Sequence, residues 1–172
     1  MGLMTPLGAV VRGLVAGAVG TLAMDALLYA RYRRGGGKEG LRQWEFSGDV
    51  RSWDDAPAPA QVGRRLVEGV FQRKLPDTQA RPINNITHWA YGIVAGASYG
   101  LLAGSLRTPR VVYGPFFGAG VWGTSYVVLP AAGLYKPIWE YDRVTLAKDL
   151  SAHLLYGTTT AATFAVLAPR KR

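Results

Sequence analysis

Apolar positions fall into four long runs, at residues 7–29, 89–106, 112–130 and 149–168, with a polar block at 31–87 between the first and second. A helix needs about 20 mostly apolar residues to cross a hydrocarbon core, so each run predicts a transmembrane helix. The second and third runs carry no charge. The first contains Arg12 and Asp25, and past Asp149 the fourth contains only His153 as an ionisable group. Within the polar block, Val62, Leu66, Val67, Val70 and Phe71 share a broad helical face opposite Arg64, Arg65, Glu68 and Gln72. That pattern predicts an amphipathic helix over 60–75, suited to a membrane interface or to capping a bundle, with Pro76 ending it. The proline-rich stretch 53–60 before it predicts a stiff, extended lead-in. The expected architecture is an all-α membrane protein: a four-transmembrane-helix bundle in one domain, with one additional amphipathic helix in a long polar loop.

Glycine spacing predicts how the helices meet. Gly92, Gly96, Gly100 and Gly104 recur every fourth residue, a continuous stripe along the second run. Where lipid gives helices no hydrophobic reason to associate, such a stripe lets two backbones approach closely. Gly13 and Gly17, Gly114 and Gly118, and Gly157 with Ala161 and Ala165 repeat the pattern more weakly. An internal packing seam is the expectation; homo- or hetero-oligomerisation through the same faces is the alternative. The segment Val15-Ala16-Gly17-Ala18 recurs as Val94-Ala95-Gly96-Ala97, which small-residue bias explains without a repeat.

Composition narrows the chemistry. The net charge is +9, and basic residues flank the apolar runs, including Arg107, Arg110 and the tail Arg170, Lys171, Arg172. This placement favours anionic lipid headgroups over nucleic acid as the partner. Trp89, Tyr91, Tyr113, Tyr135, Trp139 and Tyr141 stand near run ends, as headgroup anchors do. The 172-residue chain has no cysteine, which excludes disulfides, thiolate metal sites and cysteine nucleophiles. Before Arg12 there is no Lys or Arg, so the first run is expected as a retained helix rather than a leader. The basic 31–87 block favours a cytoplasmic loop with both termini outside.

Alternation of four spans puts Asp25, His88, Asp149 and His153 at one membrane face. Asp149 and His153 are four apart and share a helix side. Ionisable groups at membrane depth are costly and mark candidate sites, so these four form the candidate polar cluster. Asp25 pairing with Arg31, or histidines acting as neutral ties between helices, is the structural alternative. Arg12 is expected to snorkel to the opposite surface. Neither a phosphate-binding glycine loop nor a nucleophile elbow is present, and no metal, cofactor or enzymatic activity is expected.

Four segments, His88-Trp89, Phe117-Gly118-Ala119-Gly120, Pro130-Ala131-Ala132-Gly133 and the stretch from Asp149-Leu150-Ser151-Ala152-His153 to Leu154-Leu155-Tyr156-Gly157, resemble the YagU-like family of small bacterial inner-membrane proteins. The likeness covers mainly the second half of the chain. It implies a multi-pass location in the bacterial inner membrane, draws attention to His88 and His153, and implies cytoplasmic termini, opposite to the charge count. The expected function is non-enzymatic, handling protons, ions or a small polar solute through the His/Asp cluster. The alternative is a scaffold binding other membrane proteins or anionic lipid through its glycine faces and basic loop.

Overall fold

In the computed structural model, which describes residues 4–46, 50–54, 56–106 and 111–169, the Thr5 hydroxyl accepts from the Gly8 N–H at 3.1 Å and caps a helix opened by Pro6. Proline suits the first turn, where its missing N–H would have no intrahelical partner. This helix, α1 (Pro6–Arg34), is followed by α2 (Leu41–Glu45), α3 (Ala58–Phe71), α4 (Ala80–Gly104), α5 (Tyr113–Ala131) and α6 (Arg143–Leu167). Single 3₁₀ turns precede α4 and α6, and no strand occurs among the described residues. The all-α expectation stands. Among the described residues α1 alone contains an 18-residue stretch long and apolar enough to cross a membrane by length and composition, where four such helices are expected.

Every long helix differs somewhat from the apolar run that predicts it. Helix α1 continues to Arg34, where three basic residues meet the carbonyl end of the helix dipole. Helix α4 begins at Ala80, absorbing polar residues assigned to the loop. Asp142 accepts from the N–H groups of Val144 and Thr145 at 3.0 and 2.9 Å, so α6 begins six residues before the apolar run. These bonds, led by the one from the Thr145 hydroxyl, hold the Asp142 carboxyl below its ordinary range. Polar residues can extend a helix past its apolar stretch because the backbone bonds need only local continuation and a cap.

The polar block also departs from expectation. Helix α3 ends at Phe71, where Gln72 turns left-handed at φ 53, and Pro76 instead leads into the turn before α4. The stretch expected to be extended is helical from Ala58. Helix α3 packs on its small residues rather than its large ones: Ala60 and Gly63 are buried, while Leu66, Val70 and Phe71 are exposed. The loop has a core of its own, with Val50, Trp53, Ala60 and Ala80 buried together and Leu75 and Ile83 against them. The Trp53 indole N–H donates to the Leu75 carbonyl at 3.0 Å. Asp55, Arg107, Arg110, Arg170, Lys171 and Arg172 lie outside the described residues.

Helix α1 is central, packing α4 on one side and α6 on the other, with α5 against the far side of α6. The α1–α4 contact is antiparallel and regular. Ala9 meets Gly104, Gly13 meets Gly100, Gly17 meets Gly96 and Thr21 meets Gly92, each step of four on α1 matching a step of four back along α4. A Cβ on Gly13 would stand 2.5 Å from the Gly96 carbonyl oxygen, and one on Gly17 would stand 2.6 Å from that of Gly92. No side chain fits there, so backbone lies on backbone. Gly114, Gly118 and Gly157 form the matching seam between α5 and α6; a Cβ on Gly157 would lie 2.7 Å from the Gly118 Cα.

Arginines and aromatic rings complete the bundle. Arg12 turns toward the end of the bundle away from the long loop, where its Nε donates to the Leu167 carbonyl at 2.9 Å and satisfies the end of α6. Arg31 donates to the Lys148 carbonyl and the Ser151 hydroxyl, each at 2.8 Å, and so ties α1 to the start of α6 rather than pairing with Asp25. Tyr99 of α4 tilts against Phe117 of α5 and meets Phe164 of α6 edge-on. The Tyr156 hydroxyl of α6 donates to the Gly92 carbonyl at 2.6 Å, a second tie between α6 and α4.

Replacing Gly96 by Leu is expected to cost about 3 kcal/mol or more, since the side chain meets backbone that has no rotamer to change. Gly120→Ala, at a position with nothing within 4 Å, is expected to be neutral or to stabilise by up to about 1 kcal/mol. Unfolding midpoints in detergent test the contrast.

Candidate functional site

One heptad-plus-one beyond the Gly17–Gly96 crossing, the α1–α4 seam changes from glycine to ionisable side chains. Asp25 stands where the stripe on α1 reaches its sixth turn, and His88 stands where the stripe on α4 reaches its third. The His88 Nε2 lies 2.9 Å from Asp25 Oδ1. Asp25 is 4% exposed, whereas the His88 side chain keeps 29% of its surface open. With Asp25 ionised, His88 donates from Nε2. The second oxygen, Asp25 Oδ2, is buried with no hydrogen-bond partner among the described residues. Burial strips that oxygen of water without supplying a donor in its place.

The short helix α2 reaches the same place. The Glu45 carboxylate accepts from the Trp89 indole N–H at 2.7 Å, and its backbone carbonyl accepts from the Asn85 amide at 3.0 Å. Glu45 thereby comes within electrostatic range of His88. Trp44, one residue earlier, tilts against Tyr29 at 5.4 Å between ring centroids and against Tyr32 at 6.2 Å, pinning α2 to the end of α1.

The other two expected residues form a different pair. His153 Nδ1 lies 3.0 Å from the backbone carbonyl of Asp149 and 3.3 Å from its Oδ1. A carbonyl only accepts, so Nδ1 carries the proton and Nε2 is left as an acceptor in the neutral ring. The Tyr126 hydroxyl of α5 donates to Asp149 Oδ2 at 3.0 Å. Around Tyr126 stand Trp122, Tyr135 and Tyr141, with ring centroids 5.0, 5.5 and 5.4 Å away. Burial first, and then the negative charge of Asp149, pushes Tyr135 up to about 12.

The single cluster expected of Asp25, His88, Asp149 and His153 is thus two Asp–His pairs, one on each glycine seam. Among the described residues no group of three or more His, Asp and Glu side chains is placed to hold a metal ion. Glu45 and Tyr126 are site residues that the sequence pattern does not single out. Tyr135 and Tyr141, expected as headgroup anchors, pack around the Tyr126 ring, while Trp139 beside them is 81% exposed. Gly92, Gly96 and Gly100 face α1 and Gly104 faces Ala9, so that stripe is occupied within the chain.

Comparison of the chain with protein-family models, curated proteins and solved structures returns no match.

The elevated Tyr135 fixes the sign of a pH effect. A phenol whose ordinary value is 10.0 and whose folded value is about 12 holds its proton more tightly when folded. Its contribution to stability is full below pH 10 and is lost as pH rises to 12. Stability is therefore expected to fall across that window, and less steeply in Tyr135→Phe, as read by unfolding midpoints at stepped pH together with phenolate absorbance.

Proposed function

We propose that α1, α4, α5 and α6 all span a bacterial inner membrane and that the Asp25–His88 pair passes protons between the loop-side surface and the buried carboxylate. At 1.5 Å per residue these helices are roughly 43, 37, 28 and 37 Å long, against a hydrocarbon core of about 30 Å. What their surfaces present supports the spanning reading. The interior is Gly, Ala, Thr and Tyr, while Leu7, Val11, Leu22, Phe116, Val127 and Val166 point outward. In water that arrangement exposes the residues a soluble protein would bury; in lipid it places them in their preferred solvent. Glycine and hydroxyl residues along the inner faces leave α4, α5 and α6 without an 18-residue stretch as apolar as the one in α1.

The observation carrying the functional reading is the graded burial of the pair: imidazole partly open, carboxylate buried and half-satisfied. An imidazole titrates near neutral pH and exchanges protons with water, while an ionised Asp25 gains from sharing one. The donor set fits a proton better than a metal ion. A solute coupled to that proton belongs to the same reading, and the chain acts here without enzymatic chemistry. Membership of the YagU-like family is a proposal of the same kind, carried by the His88 and Asp149–His153 motifs.

The scaffold alternative keeps one specific support. Between α4 and α5 lies an open groove of about 370 Å³, lined by Tyr91, Val94, Ser98, Phe117, Gly120 and Thr124. An oligomer contact would use this face, since α1 already covers the glycine stripe of α4.

In proteoliposomes enclosing a pH-sensitive dye, an imposed pH gradient is expected to decay faster with the protein than without it. Asp25→Asn and His88→Ala are expected to return the rate to that of empty vesicles while the protein still inserts and elutes as the folded form. Unchanged flux in both variants sinks the assignment. Loss in His153→Ala alone moves the activity to the α5–α6 pair.

A further inference from the structure

Helix α3 is seated on one side and bare on the other. Ala60 is buried with Ala80, and Gly63 lies against Ile83 and Thr87, so α3 advances in the same sense as α4. Its C-terminal turns are thus directed toward Trp89 and the apolar part of α4. The Arg65 guanidinium donates to the Ala132 carbonyl just past α5, which ties the middle of α3 to the loop-side end of that helix. At this level Leu66, Val70 and Phe71 are 62%, 73% and 68% exposed. Beside them an open groove of about 420 Å³ is lined by Val67, Phe71, Leu75 and Arg73, with Lys74 next in the chain. The one acid on α3, Glu68, is already engaged by the Arg64 Nε at 3.1 Å and the Leu75 N–H at 2.8 Å.

Large exposed apolar side chains next to a groove with an arginine at its lip match the two halves of a phospholipid. We propose that α3 and the turn after it form an anionic-phospholipid site: Leu66, Val70 and Phe71 enter the acyl region of the loop-side leaflet, and Arg73 and Lys74 meet the lipid phosphate. Such a helix gains from buried apolar area and from charge together. The neighbouring Arg64 lies 5.0 Å from the Trp53 ring, so its charge is held by the loop core and α3 is anchored from behind. This inference rests on the four-span reading and adds to it a lipid-bound platform beside the His88 side of α4.

The absence of cysteine allows single labels to be placed without background. Full-length protein carrying a spin label at Val70→Cys, Gln72→Cys or Val166→Cys would be compared in nanodiscs of phosphatidylglycerol and of phosphatidylcholine. Collision with oxygen, relative to a water-soluble nickel complex, reports immersion. In phosphatidylglycerol the label at Val70 is expected to show a ratio several-fold above that at Gln72, approaching that at Val166, which is 84% exposed on α6. Preference for spin-labelled phosphatidylglycerol over phosphatidylcholine is expected to fall by up to about fivefold in Arg73→Gln, the factor for about 1 kcal/mol per basic residue at an anionic surface. If Val166 is immersed while Val70 is as wet as Gln72 in both lipids, the lipid site is overturned and the spans stand. If Val166 is also wet, the four-span reading falls and takes this proposal with it. Immersion at Val70 with no lipid preference, unchanged in Arg73→Gln, overturns the assignment of Arg73 and Lys74 as phosphate contacts.

Discussion

The approach of the α1 backbone to the α4 backbone sets where everything else can go. Gly17 and Gly96 touch with no side chain between them, the same contact recurs at Gly13 with Gly100, and at the next step the Thr21 side chain fills the space over Gly92. Because both stripes step by four, the register is fixed in one-turn units, and a slip would drive side chains into carbonyls. Two steps past Gly17 is Asp25, and two steps back from Gly96 is His88. The 2.9 Å contact between them is therefore a consequence of the glycine register. The close approach also leaves α1 able to face α6 on its other side, where Gly20 admits Thr160 and Tyr156. Arg12 and Arg31 then hold α6 at its two ends through backbone carbonyls.

Much of this was legible in the residues. A four-residue glycine period has few uses other than close helix packing, and the four ionisable residues followed from alternation of the apolar runs. Two kinds of information were not local. Alternation puts Asp25, His88, Asp149 and His153 at one face but says nothing about which helices adjoin. The pairing depends on α1 standing between α4 and α6, and on α5 lying beyond α6. Helix limits were the other gap, because Asp142 and Thr5 set starts through caps, while the polar first turns of α4 carry no apolar signal. The glycines of the two Val-Ala-Gly-Ala segments, Gly17 and Gly96, are crossing partners.

The loop between α1 and α4 shows the limit of reading amphipathicity by side-chain size. Leu66, Val70 and Phe71 mark the strongest apolar stripe on α3, yet burial follows Ala60 and Gly63. A helix lying on another helix gains most by shortening the distance between axes, and small residues do that. Large residues are then left for a solvent that accepts them. Trp53 escaped notice for the opposite reason: its burial requires Leu75, Ala60 and Ala80 to come together from three separate segments.

Both antiparallel seams end alike. On α1 and α4 the sequence of contacts runs from glycine pairs to Asp25 and His88; on α5 and α6 it runs from Gly114 with Gly157, through Gly118 with His153, to Tyr126 with Asp149. The two acids nevertheless meet different fates. Asp149 has both oxygens engaged, by His153 and by Tyr126, at the edge of the aromatic cluster around Tyr126. Its charge is held in place by fixed donors, which is what an acid fastening two helices requires. Asp25 keeps Oδ2 without a partner, and its one contact is an imidazole that reaches the surface. The contact with His88 therefore leaves one buried carboxylate oxygen whose lost hydration no donor among the described residues offsets. Equal positions on two similar seams thus differ in their polar partners: Asp149 joins α6 to α5 with both oxygens engaged, and Asp25 joins α1 to α4 through one.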